Sequence, residues 1–174
     1  ENTTLFIMTM LNNSEAVRFL LENGADPNFP DIKNRYGYDT LMMAIYNRNM
    51  EIVKMLIDYG ANIHAMNSEG DTVLGTAVFN NFANCVELLI EKGVDVNFVN
   101  SKYITPLWVG LSHPNPRMLL EAIQVLIEKG ANVNWLYGQS PLDYCIEGKQ
   151  FEVARLLIKV YAKTTKEIIK ELEK

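Results

Sequence analysis

The side chains able to carry reactive chemistry are few and scattered. Two histidines, His64 and His113, and two cysteines, Cys85 and Cys145, are the only soft ligands or potent nucleophiles available. A metal site needs three or four such groups at short turn or helical spacings, yet the histidines lie 49 residues apart and neither stands at a ligand spacing from a cysteine. Carboxylate pairs such as Glu87/Glu91 fall on outward helix faces, where solvated charge is the default. No Gly-rich run ends in Gly-Lys-Ser/Thr, so there is no phosphate cradle of that type. The expectation is a chain with no catalytic residues, no cofactor and no metal, and therefore not an enzyme.

What the sequence does carry is repetition. Leu88-Leu89-Ile90-Glu91-Lys92-Gly93-Val94-Asp95-Val96-Asn97 has close copies ending at Asn28, His64 and Asn134, and their glycines, Gly24, Gly60, Gly93 and Gly130, are spaced by 36, 33 and 37 residues. Each copy is an apolar-periodic helix running into a Gly, which accepts the left-handed conformation that ends a helix. An Asp/Asn-rich turn follows, whose side chains bond nearby backbone. A period near 33 signals stacked repeats.

A second marker follows each turn: Gly37-Tyr38-Asp39-Thr40-Leu41-Met42-Met43-Ala44, Gly70-Asp71-Thr72-Val73-Leu74-Gly75-Thr76-Ala77, Tyr103-Ile104-Thr105-Pro106-Leu107-Trp108-Val109-Gly110 and Gly138-Gln139-Ser140-Pro141-Leu142-Asp143-Tyr144-Cys145. Thr or Ser is a natural N-cap and Pro is tolerated at the first helical position, so the marker opens a helix. All four resemble the ankyrin signature Gly-x-Thr-Pro-Leu-His-x-Ala. Met42, Gly75, Trp108 and Asp143 stand where that family usually has His, which implies somewhat weaker turn anchoring and nothing catalytic.

The resemblance implies an all-α repeat solenoid of about five stacked helix-turn-helix repeats with finger turns, read as one domain over residues 1–174. Repeats fall at about 1–28, 29–64, 65–97, 98–134 and 135–162, and Thr164-Thr165-Lys166-Glu167 fits a capping box opening a C-terminal helix over 164–173. The first finger, around Phe29 to Tyr36, is three residues longer than the one after Asn97. Repeat four carries extra residues around Ser112-His113-Pro114-Asn115-Pro116-Arg117, where two prolines end its first helix. The Met, Leu and Ile stripes, such as Ile52-Val53-Met55-Leu56, are read as core.

A net charge of −5 and a pI near 5.1 disfavour nucleic acid or an anionic membrane as partner, since both need clustered Lys/Arg. A neutral or basic protein partner is the expectation. No run approaches the roughly 18 apolar residues of a membrane span, and the start at Glu1, without a basic region and apolar stretch, reads as a piece of something longer with a cytoplasmic, intracellular address. The cysteines sit in different repeats, which favours no disulfide between them. Asn2-Thr3-Thr4 and Asn12-Asn13-Ser14 match the glycosylation pattern by chance in an Asn-rich chain.

By that resemblance the function is protein binding on the concave surface of fingers and first helices. Family contact slots hold Arg35, Tyr36, Tyr38, Tyr46 and Asn47, then Ser68, Glu69, Asp71, Phe79 and Asn80, then Ser101, Lys102, Ile104, Ser112 and His113, then Leu136, Tyr137, Gln139 and Glu147. The chosen candidates are Arg35, Tyr36, Tyr38, Tyr46, Asn47, Phe79, Asn80 and Tyr137, because aromatics and Arg are what interface hot spots favour. Trp108 and Trp135 are neighbours that core packing could claim. The alternative is a structural spacer, or an oligomerisation or regulatory arm of a longer protein. It draws on Leu5–Leu11, which is apolar nearly all round and places Phe6, Ile7 and Met10 under missing upstream sequence or a second copy. The resemblance also makes Asn97 and Asn134 possible hydroxylation targets, against a turn-bonding role.

Overall fold

The structure is a computed structural model that describes residues 2–29, 37–134 and 140–160. Its helices come in antiparallel pairs: α1 (Asn2–Met10) with α2 (Ser14–Glu22), α3 (Thr40–Tyr46) with α4 (Met50–Asp58), and α5 (Val73–Phe79) with α6 (Ala83–Glu91). Then come α7 (Pro106–Leu111) with α8 (Leu120–Glu128), joined through a 3₁₀ turn at Pro116–Leu119, and α9 (Pro141–Glu147) with α10, helical over 151–160. Helices this short are marginal alone, so their stability comes from packing. The first helices pack in order, α1 on α3, α3 on α5, α5 on α7 and α7 on α9, and form an inner layer. In the outer layer α2 meets α4 and α6 meets α8, whereas α4 and α6 approach each other less.

The helix ends follow from local chemistry. Thr72, Thr105 and Ser140 each accept a hydrogen bond from the backbone N–H three residues on, opening α5, α7 and α9. In the second pair the cap is Asp39, whose carboxylate accepts from the Met42 N–H at 2.7 Å, while Thr40 is the first helical residue and is buried. The register explains this: Asp39 occupies the Thr slot and Thr40 the Pro slot.

Gly24, Gly60, Gly93 and Gly130 take positive φ of 86°, 88°, 97° and 93°. The next amide then reaches back five residues, as in Ala25 N–H to Leu20 O at 3.0 Å and Ala61 N–H to Leu56 O at 2.9 Å. The turn inside each pair uses the same device with a non-Gly residue, Asn12, Arg48, Asn81 or Lys149. The fourth pair departs, as its prolines foretold, with Ser112 to Asn115 replacing that tight turn.

Leu5, Leu41, Leu74 and Leu107 recur at one register and are essentially fully buried, as are Leu56, Leu89 and Leu126 of the second helices. Trp108 joins this core. One expectation for α1 is corrected: Phe6 is 6% exposed, covered by the chain itself, because α1 packs against both α2 and α3 and buries Leu5, Phe6 and Thr9 together. Ile7, Met10 and Leu11 remain exposed. Among the described residues no helix is long and apolar enough to cross a membrane. The first finger from Pro30 to Tyr36 and the helix expected over 164–173 lie outside the described residues.

Candidate functional site

Asparagines build the fingers. Asn67 Oδ1 accepts from the Glu69 and Asp71 amides at 2.9 and 2.8 Å, and Asn100 Oδ1 accepts from the Lys102 and Ile104 amides at 2.9 Å each. Gly37 and Gly70 turn with φ of 62° and 83°, and a Cβ at either would meet the next finger's Ser68 or Ser101 hydroxyl at 2.3 or 2.2 Å. Successive fingers are thereby stacked tightly, and Tyr103 holds the corresponding position with φ of 61° and its ring exposed.

Between the fingers and the first helices lies a pocket of about 160 Å³. Tyr38, Phe79, Ile104 and Val109 wall it, Gly75 and Thr76 lie along α5, and Asp71 and Asn100 bring finger polarity. Tyr38 also pairs with Tyr46, ring centroids 6.2 Å apart, and Tyr46 and Phe79 are 55% and 48% exposed. Three of the candidate residues, Tyr38, Tyr46 and Phe79, are thus brought onto one face. The His113 ring, supplied by the fourth pair's inserted loop, stands edge-on to Phe79 at 4.9 Å, while its Nδ1 accepts from the Asn115 N–H. The insertion flanks the same face.

Asn47 and Asn80 have work inside the chain. The Asn47 amide donates to the carbonyls of Thr9 and Met10 at 2.8 and 3.3 Å, tying α3 to the end of α1. The Asn80 amide donates to Thr76 O at 2.8 Å, and its own carbonyl accepts from Arg48 at 2.6 Å. Arg35, Tyr36 and Tyr137, together with Leu136, Gln139 and Trp135, lie outside the described residues.

The reactive side chains do not converge. His64 sits in a turn, its amide bonded to Asn62 Oδ1 at 3.0 Å. Among the described residues, no three of His, Cys, Asp or Glu gather to hold a metal ion. Cys85 and Cys145 are buried free thiols, which burial pushes up to about 12 and about 11, so they stay protonated. Glu87 and Glu91 both hold Lys129, at 2.8 and 3.3 Å, across α6 and the end of α8.

The sequence matches the family of ankyrin repeats (3 copies) over residues 5–100 and again over 41–135. The chain belongs to the ankyrin-repeat family. It is 46% identical over 57 residues to a putative ankyrin repeat protein of fowlpox virus (strain NVSL), covering 33% of this chain and 21% of that protein. It is 41% identical over 59 residues to a putative ankyrin repeat protein of Acanthamoeba polyphaga mimivirus, covering 34% of this chain and 35% of the relative. It is also 36% identical over 72 residues to the B-cell lymphoma 3 protein homolog of Mus musculus, covering 41% of this chain and 16% of that protein. In each case the matched stretch is a minor part of the relative.

Ankyrin repeats are generally protein-interaction modules and typically non-catalytic. Within this array the pocket residues that lie outside the family contact slots are Thr72, Gly75, Thr76, Asn100, Pro106 and Val109. One signal pointed to them: Gly75 is the smallest of the four residues at the His position, where Met42 and Trp108 are large.

Proposed function

We propose that residues 1–174 form a single ankyrin domain whose role is to bind a protein partner on the face of fingers and first helices, without catalysis. The observation that carries this reading is the open pocket walled by Tyr38 and Phe79, with Tyr46 beside it against Tyr38. Two of these rings are half exposed at places where a bare scaffold has no need of them, and large aromatics at the centre of a patch are the usual energetic anchors of interfaces. The acidic balance of the chain favours a neutral or basic partner. Arg35, Tyr36 and Tyr137 belong to the same proposed surface by their slots, and Asn47 and Asn80 support its backbone.

The test is mutational. With a partner in hand by affinity capture, Tyr46→Ala and Phe79→Ala are each expected to weaken binding by about 2 kcal/mol or more while moving thermal stability little. If both variants lose stability sharply and the folded fraction binds normally, the recognition surface lies elsewhere and the outer helices become the place to look.

A further inference from the structure

We infer that the pocket beside Gly75 is an anchor site for one aromatic side chain of a protein segment, with a Lys or Arg next to that anchor set against Asp71. The inference deepens the proposed binding role and rests on it.

One lining residue contributes no side chain. At the register where Met42 and Trp108 are buried stands Gly75, and a Cβ there would meet two other lining residues, Thr72 Oγ1 at 3.1 Å and Val109 Cγ2 at 3.7 Å. The pocket volume, about 160 Å³, is close to the roughly 150 Å³ of an apolar cavity that takes up benzene. It is therefore ring-sized. Its outer wall, Phe79, is half exposed, so the space is reached from solvent rather than sealed.

The lining selects the chemistry. Tyr38 and Phe79 present rings, and Ile104, Pro106 and Val109 present aliphatic surface, which favours an aromatic guest through area burial and ring contacts. Most polar atoms there are already satisfied: Thr72 Oγ1 accepts from the Gly75 N–H at 2.9 Å, and the Thr76 hydroxyl donates to Thr72 O at 3.0 Å. Asn100 Oδ1 is occupied by its own finger. Asp71 differs. One oxygen accepts from the Asn67 amide at 3.1 Å, but among the described residues the other meets only Lys102 Nζ at 4.0 Å, too far for a hydrogen bond. Glu69, exposed on the same finger as Asp71, adds a second carboxylate to the finger that forms this rim. A basic residue beside the anchor is complementary to that rim and an acidic one is opposed by it.

A displayed library of random peptides selected on the wild-type chain tests the inference. The expected winners share one aromatic residue with a nearby Lys or Arg. Gly75→Met, which the fold accommodates at Met42, fills the pocket and is expected to lower their affinity by at least about thirtyfold, the factor of an interface hot spot. Asp71→Asn keeps the acceptor for Asn67 and is expected to erase the preference for a basic neighbour. Tyr46→Ala, outside the pocket, reports on the face itself. If Gly75→Met binds like wild type while Tyr46→Ala weakens binding, the pocket is overturned and the face stands. If neither variant matters, both readings fail. A selection without binders, or binders without a shared aromatic, also overturns the anchor. Should melting curves show Gly75→Met unfolded, Gly75→Ala decides, because its methyl group intrudes on the same space and unchanged affinity then sinks the proposal.

Discussion

Asp39 combines two roles that work against each other. Its carboxylate caps α3 by accepting from the Met42 N–H, yet burial raises its pKa above the ordinary 3.8, and the backbone hydrogen bonds to Met42 and Leu41 offset only part of that shift. A folded-state pKa above the unfolded one means that the folded state binds the proton more tightly. The contribution of this group is thus fully present below about 3.8 and is lost as pH rises from there through the folded value. Asn at this position keeps the acceptor and discards the charge. Asp39→Asn is expected to equal or exceed wild type at neutral pH, with the difference shrinking on acidification, and Asp39→Ala to lose about 1 kcal/mol with the cap. Urea midpoints across pH check both. A wild type that gains stability relative to Asp39→Asn as pH rises would show that the hydrogen bonds, not burial, dominate this site.

At the scale of elements, the outer-layer seam between α4 and α6 is looser than those between α2 and α4 and between α6 and α8. Between the first and second repeats and between the third and fourth, an Asn at the end of the turn staples neighbours together. The Asn28 amide donates to Gly60 O at 2.8 Å and its carbonyl accepts from the Asn62 N–H at 2.7 Å, and Asn97 does the same to Gly130 O and the Asn132 N–H at 3.2 and 2.7 Å. His64 holds the equivalent position in repeat two, and among the described residues its side chain makes no such bridge to Gly93 or Asp95. A pocket of about 100 Å³ lies at that junction, lined by His64, Gly93 and Asp95 among others. His64→Asn is expected to restore both hydrogen bonds and stabilise the array by about 1–2 kcal/mol, read as a raised urea midpoint. No gain would mean that the helices are held apart for another reason. The staple itself was legible in the sequence only as a turn residue, since its partner lies a whole repeat away. Helix starts and stops were legible because Thr72, Thr105, Ser140 and the four terminal glycines act on their own neighbours. Asp39 was hidden beside a Thr one position on. Phe6 was misplaced because a helix that is apolar all round does not reveal which side its partner takes. The candidate face was legible as slots, but the pocket needed three repeats to converge beside Gly75.

For the whole molecule, each helix pair touches its neighbours alone, so stability is close to a sum of repeat terms and interface terms. Leu107 is 1% exposed at the start of α7, which packs against α5 before it and α9 after it. Shortening it to Ala removes a buried anchor and leaves a cavity, and the expected cost is about 2–5 kcal/mol. In a compact domain that loss would spread over every part of the fold. In a stack it falls first on the pairs that depend on the damaged seat, and the loose seam between α4 and α6 weakens the communication of that loss towards α1. Leu107→Ala is therefore expected to lower the urea midpoint and, in native-state hydrogen exchange, to strip protection from α7 to α9 before α1 to α4. Leu41→Ala, at the same register in the second pair, is expected to reverse that order. A midpoint shift within about 0.5 kcal/mol, the range of exposed sites, would mean that Leu107 is no junction anchor. An equal loss of protection along the whole chain in both variants would show the array unfolding as one unit despite its seam.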